Sequence, residues 1–258
     1  MRIQDKVVVI TGGASGLGLA TANYLLTEKG ARIAIFDQDV EAGERAVKAL
    51  GEERAMFVAA DVGDEASVQA AVDAVVARFG AIHVCINGAA IASGFKILDR
   101  EGNAAPLAKF AKTTAVNLNG VFNVMSKCAA RMAKNEAEGG EERGVVINIS
   151  SGAAYEGQIG QAAYGATKAG VIGMNIPAAR ELASVGVRVN AIAPGLFLTA
   201  MVAALDEKVL GALKEAMEAP KRLGDPREFA HTCAYIIENA YVNGETIRLD
   251  GAARLRAR

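Results

Sequence analysis

Tryptophan is absent from the 258 residues, histidine occurs twice and cysteine three times. His83 and His231 stand in no metal-ligand spacing, so histidine-centred acid–base or metal chemistry has little to work with, and no metal site is expected. Cys85, Cys128 and Cys233 lie far apart in apolar stretches and form no Cys-x-x-Cys pair. That excludes a zinc knuckle and a disulfide framework, and it fits buried free thiols in a reducing, cytoplasmic compartment. Neither sign of charge dominates: 28 Lys and Arg face 29 Asp and Glu, for a net charge of −1. No global pull towards nucleic acid or an acidic membrane surface follows from that balance. No apolar run is long enough to cross a bilayer. The chain enters an apolar strand within five residues, which leaves no room for a signal or transit peptide. What is present is a chain with 52% hydrophobic and 22% charged residues, long enough to bury a large core around a small-molecule site. Arg254, Arg256 and Arg258 form a basic tail expected to be solvated.

Short β-type runs alternate with helical patterns along most of the chain. Strands are expected over 6–11, 31–37, 55–60, 82–87, 144–150, 187–194 and 246–249. Helices with apolar faces are expected over 17–28, 40–50, 65–79, 107–133, 163–182 and 226–238, the last capped by Asp225 with Pro226 in its first turn. Alternation of this kind implies an α/β fold, a single-domain, doubly wound parallel sheet of seven strands with helices on both faces. No linker divides residues 1–258. The connections 88–106 and 195–220 exceed ordinary loop lengths, and the second is expected to act as a substrate lid. Residues 135–143 form a charged insert expected to be a solvated loop.

Immediately after the first strand comes Thr11-Gly12-Gly13-Ala14-Ser15-Gly16-Leu17-Gly18, opening a helix. Glycines let the backbone approach a pyrophosphate, and a helix N-terminus supplies amide donors and a favourable dipole. Asp37 ends the second strand, 19 positions beyond Gly18, where a carboxylate binds ribose hydroxyls. It would repel a 2′-phosphate, Asp39 adds to the repulsion, and neither Ala14 nor Ser15 is basic, so NAD is favoured over NADP. Ala60-Asp61-Val62 follow the third strand, where Asp61 either reaches an adenine amino group or caps the next helix. Asn87-Gly88-Ala89-Ala90 after the fourth strand make a small-residue turn able to pass close to the cofactor.

Tyr164 and Lys168 are four apart, which puts phenol and ammonium on one helix face, and Ser151 stands thirteen residues upstream of the tyrosine. A fixed cation beside a phenol stabilises the phenolate and brings proton transfer closer to neutral pH. Either Ser151 or Ser150 could merely cap a turn at the strand end. Asn117 falls inside the expected helix 107–133, where asparagine has poor propensity.

As an ordered set, Thr-Gly-x-x-x-Gly-x-Gly, Asp61, Asn87, Asn117, Ser151, Tyr164, Lys168 and Pro194-Gly195 resemble the short-chain dehydrogenase/reductase family over essentially the whole chain. The family's usual Asn-Ala-Gly turn reads Asn87-Gly88-Ala89 here. Tyr155-Glu-Gly-Gln-Ile-Gly-Gln-Ala-Ala-Tyr164, Arg222-Leu-Gly-Asp-Pro226 and Asn243-Gly-Glu-Thr-Ile-Arg-Leu-Asp-Gly251 are similar to the type 10 17β-hydroxysteroid dehydrogenase group, also called type II 3-hydroxyacyl-CoA dehydrogenases. The resemblance implies an NAD-dependent enzyme interconverting 3-hydroxyacyl-CoA and 3-oxoacyl-CoA; a dehydrogenase of steroids or other bulky secondary alcohols and a non-catalytic NAD-bound scaffold are the alternatives. It implies Tyr164 as proton acceptor, Lys168 as its pKa-lowering partner and ribose ligand, Ser151 on the substrate oxygen, and Asn117 interrupting its helix to hold a relay water. Pro194, Gly195, Leu196, Phe197 and Thr199 would line the nicotinamide end. Gln158, Gln161 and Leu205 would meet the substrate, within an apolar stripe running from Phe197 through Met201 and Val209 to Met217, and Lys96 would meet a CoA phosphate. A homotetramer built on the two long helices is implied as well.

Overall fold

The computed structural model describes residues 1–254, 256 and 257, leaving out the side chains of Lys208, Val209 and Ala212. Val209 of the stripe and Arg258 of the tail therefore lie outside the described residues. Strands β1 (Val7–Thr11), β2 (Arg32–Asp37), β3 (Ala55–Ala59), β4 (Val84–Asn87), β5 (Gly144–Ile149), β6 (Val187–Pro194) and β7 (Thr246–Leu249) form one sheet. Their order is β3-β2-β1-β4-β5-β6-β7, and every neighbouring pair is parallel. Helices α1 (Gly16–Thr27), α2 (Val40–Leu50), α3 (Glu65–Phe79), α4 (Leu107–Thr114), α5 (Gly120–Met132), α6 (Ala162–Ala183), α7 (Ala200–Ala203), α8 (Glu207–Glu215) and α9 (Pro226–Glu238) complete it.

The strands β1, β4, β5 and β6 are buried at every position, mostly by apolar residues, because both faces are covered. Val8, Ile10, Ile33, Ile35, Ile86 and Ile147 point to the side closed by Leu25 of α1 and Phe229 of α9. Val7, Val9, Ala34, Phe36, Cys85 and Val146 point to the other, closed by Val72 of α3 and Val124 of α5. Burying each such side chain contributes about 1.5–3 kcal/mol, so the strand runs alone dictate which residues form the sheet. Carboxylates fix the helix starts: Asp39 accepts from Ala42 N at 2.9 Å, and Asp225 forms a capping box with Glu228.

Chain order reverses between β1 and β4, which opens a crevice at their carboxyl ends. The single helix expected over 107–133 is divided by a π-helical turn, Ala115–Asn119. The insert 135–143 also differs from expectation, because it is built into the fold. Asn135 Nδ2 donates to Ile82 O and Arg143 O, and Glu142 pairs with the Met1 ammonium and with Arg188. Non-local partners of this sort leave no trace in local composition.

Candidate active site

The amino end of the crevice is the glycine turn. Gly16 adopts φ +54°, and a Cβ placed on it would meet only the Thr199 methyl, 3.8 Å away, so it would project into the cradle. A Cβ on Gly18 would stand 2.2 Å from Gly12 O and one on Gly12 3.0 Å from the Ala89 backbone, so neither position admits a side chain without backbone movement. Thr11 ties this turn to the one after β4: its Oγ1 accepts from Gly88 N at 3.1 Å and Ala89 N at 3.0 Å. A Cβ on Gly88 would stand 2.9 Å from Thr11 O, which accounts for glycine standing second in this Asn-Gly-Ala turn. Ser15 makes no side-chain cap on α1, so the helix amides face the cavity.

That cavity, about 420 Å³, is lined by Gly12, Ser15, Gly16, Leu17, Gly18, Asp37, Ala60, Val62, Gly88 and Ala89. Asp37 is held in place by Ala14 N and Asp39 N, each donating at 3.2 Å. An amide-rich cradle that a Cβ would fill, with a fixed carboxylate 19 residues on, fits a nicotinamide dinucleotide. Asp61 does not cap α3; Asp64 does, accepting from Ser67 N at 2.6 Å, while Asp61 Oδ1 accepts from Gly63 N at 2.8 Å. Asn87 is buried and donates to Asn148 Oδ1 at 2.9 Å, beneath the cavity floor.

A second cavity, about 450 Å³, brings together Ser151, Gln158, Gln161, Tyr164, Pro194, Gly195 and Leu196. Ser151 caps the short 3₁₀ turn Gly152–Ala154, accepting from Ala153 N at 3.2 Å, and its hydroxyl is near enough to the Tyr164 phenol to draw it down. Ser150 has the structural part: it is buried and donates to Lys168 O at 2.8 Å. Lys168 is buried, its Nζ donating to Ile149 O at 2.8 Å and lying 5.7 Å from the Tyr164 ring centre. Burial pulls the ammonium down to about 8 and is its only resolved cause. Burial also pushes the Tyr164 phenol up, against a smaller downward pull from Ser151. This corrects the expectation that Lys168 lowers the phenol: with its Nζ turned onto a carbonyl, desolvation wins.

Asn117 sits in the π turn with its side chain buried. Ile91 N donates to its Oδ1 at 2.8 Å, and its Nδ2 donates to Ile91 O at 3.0 Å and to Thr167 Oγ1 at 3.4 Å. The residue straps the stretch that supplies Ala92, Ser93 and Gly94 to the Ser151 cavity wall. Two expected contacts, Phe197 and Leu205, lie elsewhere. Phe197 is buried edge-on against Phe229, ring centres 5.9 Å apart. Thr199 precedes α7 with its methyl near Gly16. Leu205 is 42% exposed and lines neither cavity, since the chain between α7 and α8 turns its apolar groups outward. Among its described residues the stripe buries only its ends, Phe197 and Met217, while Met201 is 84% exposed.

Sequence reading missed the charged wall of the second cavity. Arg248 makes a bidentate pair with Glu156 at 2.9 and 3.0 Å, pairs with Asp250 at 2.7 Å, and lies 4.5 Å from the Tyr155 ring centre. Arg254, expected to be solvated, pairs with Glu156 and Asp250. Glu156 stands 92 residues from Arg248 in the chain, so no local pattern announces that pair. Among the described residues there is no cluster able to hold a metal ion and no helix long and apolar enough to cross a membrane.

Residues 6–210 match the short chain dehydrogenase family. The chain is 47% identical over 255 residues to 3-hydroxyacyl-CoA dehydrogenase type-2 of Homo sapiens, covering 98% of this chain and 97% of that protein. The crystal structure of 3-hydroxyacyl-CoA dehydrogenase type-2 from Mycobacterium avium superposes with a TM-score of 0.90 at 41% identity, covering 98% and 97% of the two chains. A 3-ketoacyl-(acyl-carrier-protein) reductase from Brucella melitensis, solved with NADH, gives a TM-score of 0.85 at 29% identity over 98% of this chain and all of the other. With the whole chain aligned, this protein belongs to the short-chain dehydrogenase family, as an oxidoreductase of the group that includes the type-2 3-hydroxyacyl-CoA dehydrogenases.

Proposed function

We propose that the protein is an NAD-dependent dehydrogenase interconverting 3-hydroxyacyl-CoA and 3-oxoacyl-CoA. The observation that carries this reading is the cavity that brings Ser151 and Tyr164 together beside the buried Lys168, in a chain 47% identical to a protein named for that activity. When bound, the nicotinamide accepts hydride in the oxidising direction and returns it in the reducing one. Tyr164 takes the substrate hydroxyl proton as the carbon is oxidised and gives it back on reduction. Ser151 donates to the substrate oxygen and steadies the charge that develops there. Lys168 keeps a positive charge beside the tyrosine at neutral pH, and Asn117 would hold a relay water.

NAD is favoured over NADP by the cradle's charge. Asp37 stands at its rim, and the described residues that line the cavity include no lysine or arginine to receive a 2′-phosphate. A homotetramer fits the large apolar side chains Leu107, Phe110 and Phe122 left exposed on α4 and α5. A reducing, cytoplasmic compartment suits three free, buried cysteines.

The test is a panel of steady-state rates with NAD(H) and NADP(H) on acetoacetyl-CoA, a branched 3-hydroxyacyl-CoA, a hydroxysteroid and a simple secondary alcohol. The acyl-CoA substrates with NAD(H) are expected to give the highest kcat/KM. Efficient steroid turnover with negligible acyl-CoA activity would overturn the substrate assignment, and a preference for NADPH would overturn the role of Asp37.

A further inference from the structure

The cavity around Ser151 and Tyr164 continues outward past Gln158 and Gln161. The same two residues line two outer clefts, whose other walls include Phe95, Lys96, Ile159 and Ala257. Gln158 and Gln161 therefore stand at a neck, with the tyrosine inside it and Lys96 outside.

The C-terminal segment is built onto this rim. Ile159 N donates to Ala257 O at 3.1 Å, and Gln158 Nε2 donates to Arg256 O at 3.1 Å. Arg256 is thus anchored through its main chain, while its side chain is exposed. The rim's carboxylates are already engaged: Glu156 and Asp250 are taken by Arg248 and Arg254. Asp99, three residues beyond Lys96, is turned onto its own loop, accepting from Glu101 N, Asn103 N and Asn103 Nδ2. A third cation, Lys109, lies 6.0 Å from the ring centre of Phe95, which lines one of these clefts. In a chain with a net charge of −1, this leaves a local excess of cations at the outer end of a passage that leads to the reacting groups.

We propose that Lys96 and Arg256, supported by Lys109, bind the phosphates of coenzyme A, with the acyl thioester threaded between Gln158 and Gln161 to Ser151 and Tyr164. The inference rests on the acyl-CoA reading above and assigns the carrier's place in that site. Coenzyme A holds its phosphates at the far end of a long flexible arm from the thioester, so the reacting group and the anionic group need separate subsites joined by a passage. Ammonium and guanidinium groups are the side chains that bind phosphate, and exposed ones do so with a strength that salt screens.

The experiment compares acetoacetyl-CoA with S-acetoacetyl-N-acetylcysteamine, which carries the same reacting group without phosphates, as substrates for NADH oxidation. In the Lys96→Gln, Arg256→Gln double variant the KM for the CoA ester is expected to rise about tenfold, with kcat and the KM for NADH unchanged. The KM for the truncated thioester should not move. In the parent protein, added salt should raise the KM of the CoA ester alone. No change for either thioester, or an equal change for both, would overturn the subsite while leaving the acyl-CoA reading standing. Failure of the parent protein to reduce either thioester would overturn that reading and the subsite with it.

Discussion

Burial acts on the two titratable groups of the site in opposite senses: it holds the Tyr164 phenol neutral to higher pH and releases the Lys168 proton at lower pH. The Ser151 hydroxyl is the one resolved influence drawing the phenol down. Ser151→Ala is therefore expected to lower kcat for alcohol oxidation about a hundredfold and to move the rising limb of its pH profile to higher pH. An unshifted limb in the pH–rate profile would contradict this pairing. Lys168 makes a separate mark on stability. Its folded value of about 8 lies below the ordinary 10.5, so the unfolded chain binds more protons between those values and stability rises with pH across that window. Below pH 8 the contribution is fully lost. Urea unfolding of the parent and of Lys168→Met should show the parent gaining about 3 kcal/mol relative to the variant from pH 8 to 10.5. The same pH dependence in both proteins would contradict a buried, desolvated ammonium.

At the scale of elements, the π turn between α4 and α5 carries the most information. It turns Asn117 inward onto both backbone groups of Ile91 and so fixes the wall that Ala92, Ser93 and Gly94 form. Asn117→Ala leaves those groups without partners. We expect a loss of about 1–3 kcal/mol in thermal or urea unfolding, together with a raised substrate KM. A variant that matches the parent in both would show that the strap is dispensable. Most elements were legible in the sequence because their causes are local. β2, β4 and β6 are short runs dominated by buried apolar residues, and α2, α3 and α9 start at their own carboxylate caps. The glycine turn was legible because steric exclusion at Gly12 and Gly18 leaves no alternative residue. The interruption at Asn117 was implied only by the family resemblance and not by local pattern, since the π turn is tied to Ile91, 26 residues away. Nor was the Glu156–Arg248–Asp250 wall, which closes only after β7 has joined the sheet. Leu205 went astray because an apolar stripe at helical spacing does not reveal which neighbours are there to cover it.

For the whole molecule, a parallel sheet whose strand order reverses between β1 and β4 sets a cofactor cradle beside a reacting cavity, and the C-terminal segment closes the outer rim. The apolar side chains left uncovered on α4 and α5 form the face on which the proposed homotetramer would assemble. Phe122, 58% exposed, is the most direct probe of that face. Phe122→Glu should convert a tetramer into smaller species in light scattering or native mass spectrometry. An unchanged mass distribution would place the interface elsewhere. The central claim concerns Tyr164 as the group that moves the substrate proton. The most direct test measures NADH formation from a 3-hydroxyacyl-CoA by Tyr164→Phe, alongside NADH binding followed by fluorescence. Turnover is expected to fall at least about a thousandfold with the NADH affinity of the parent retained; turnover comparable to the parent's would contradict the account.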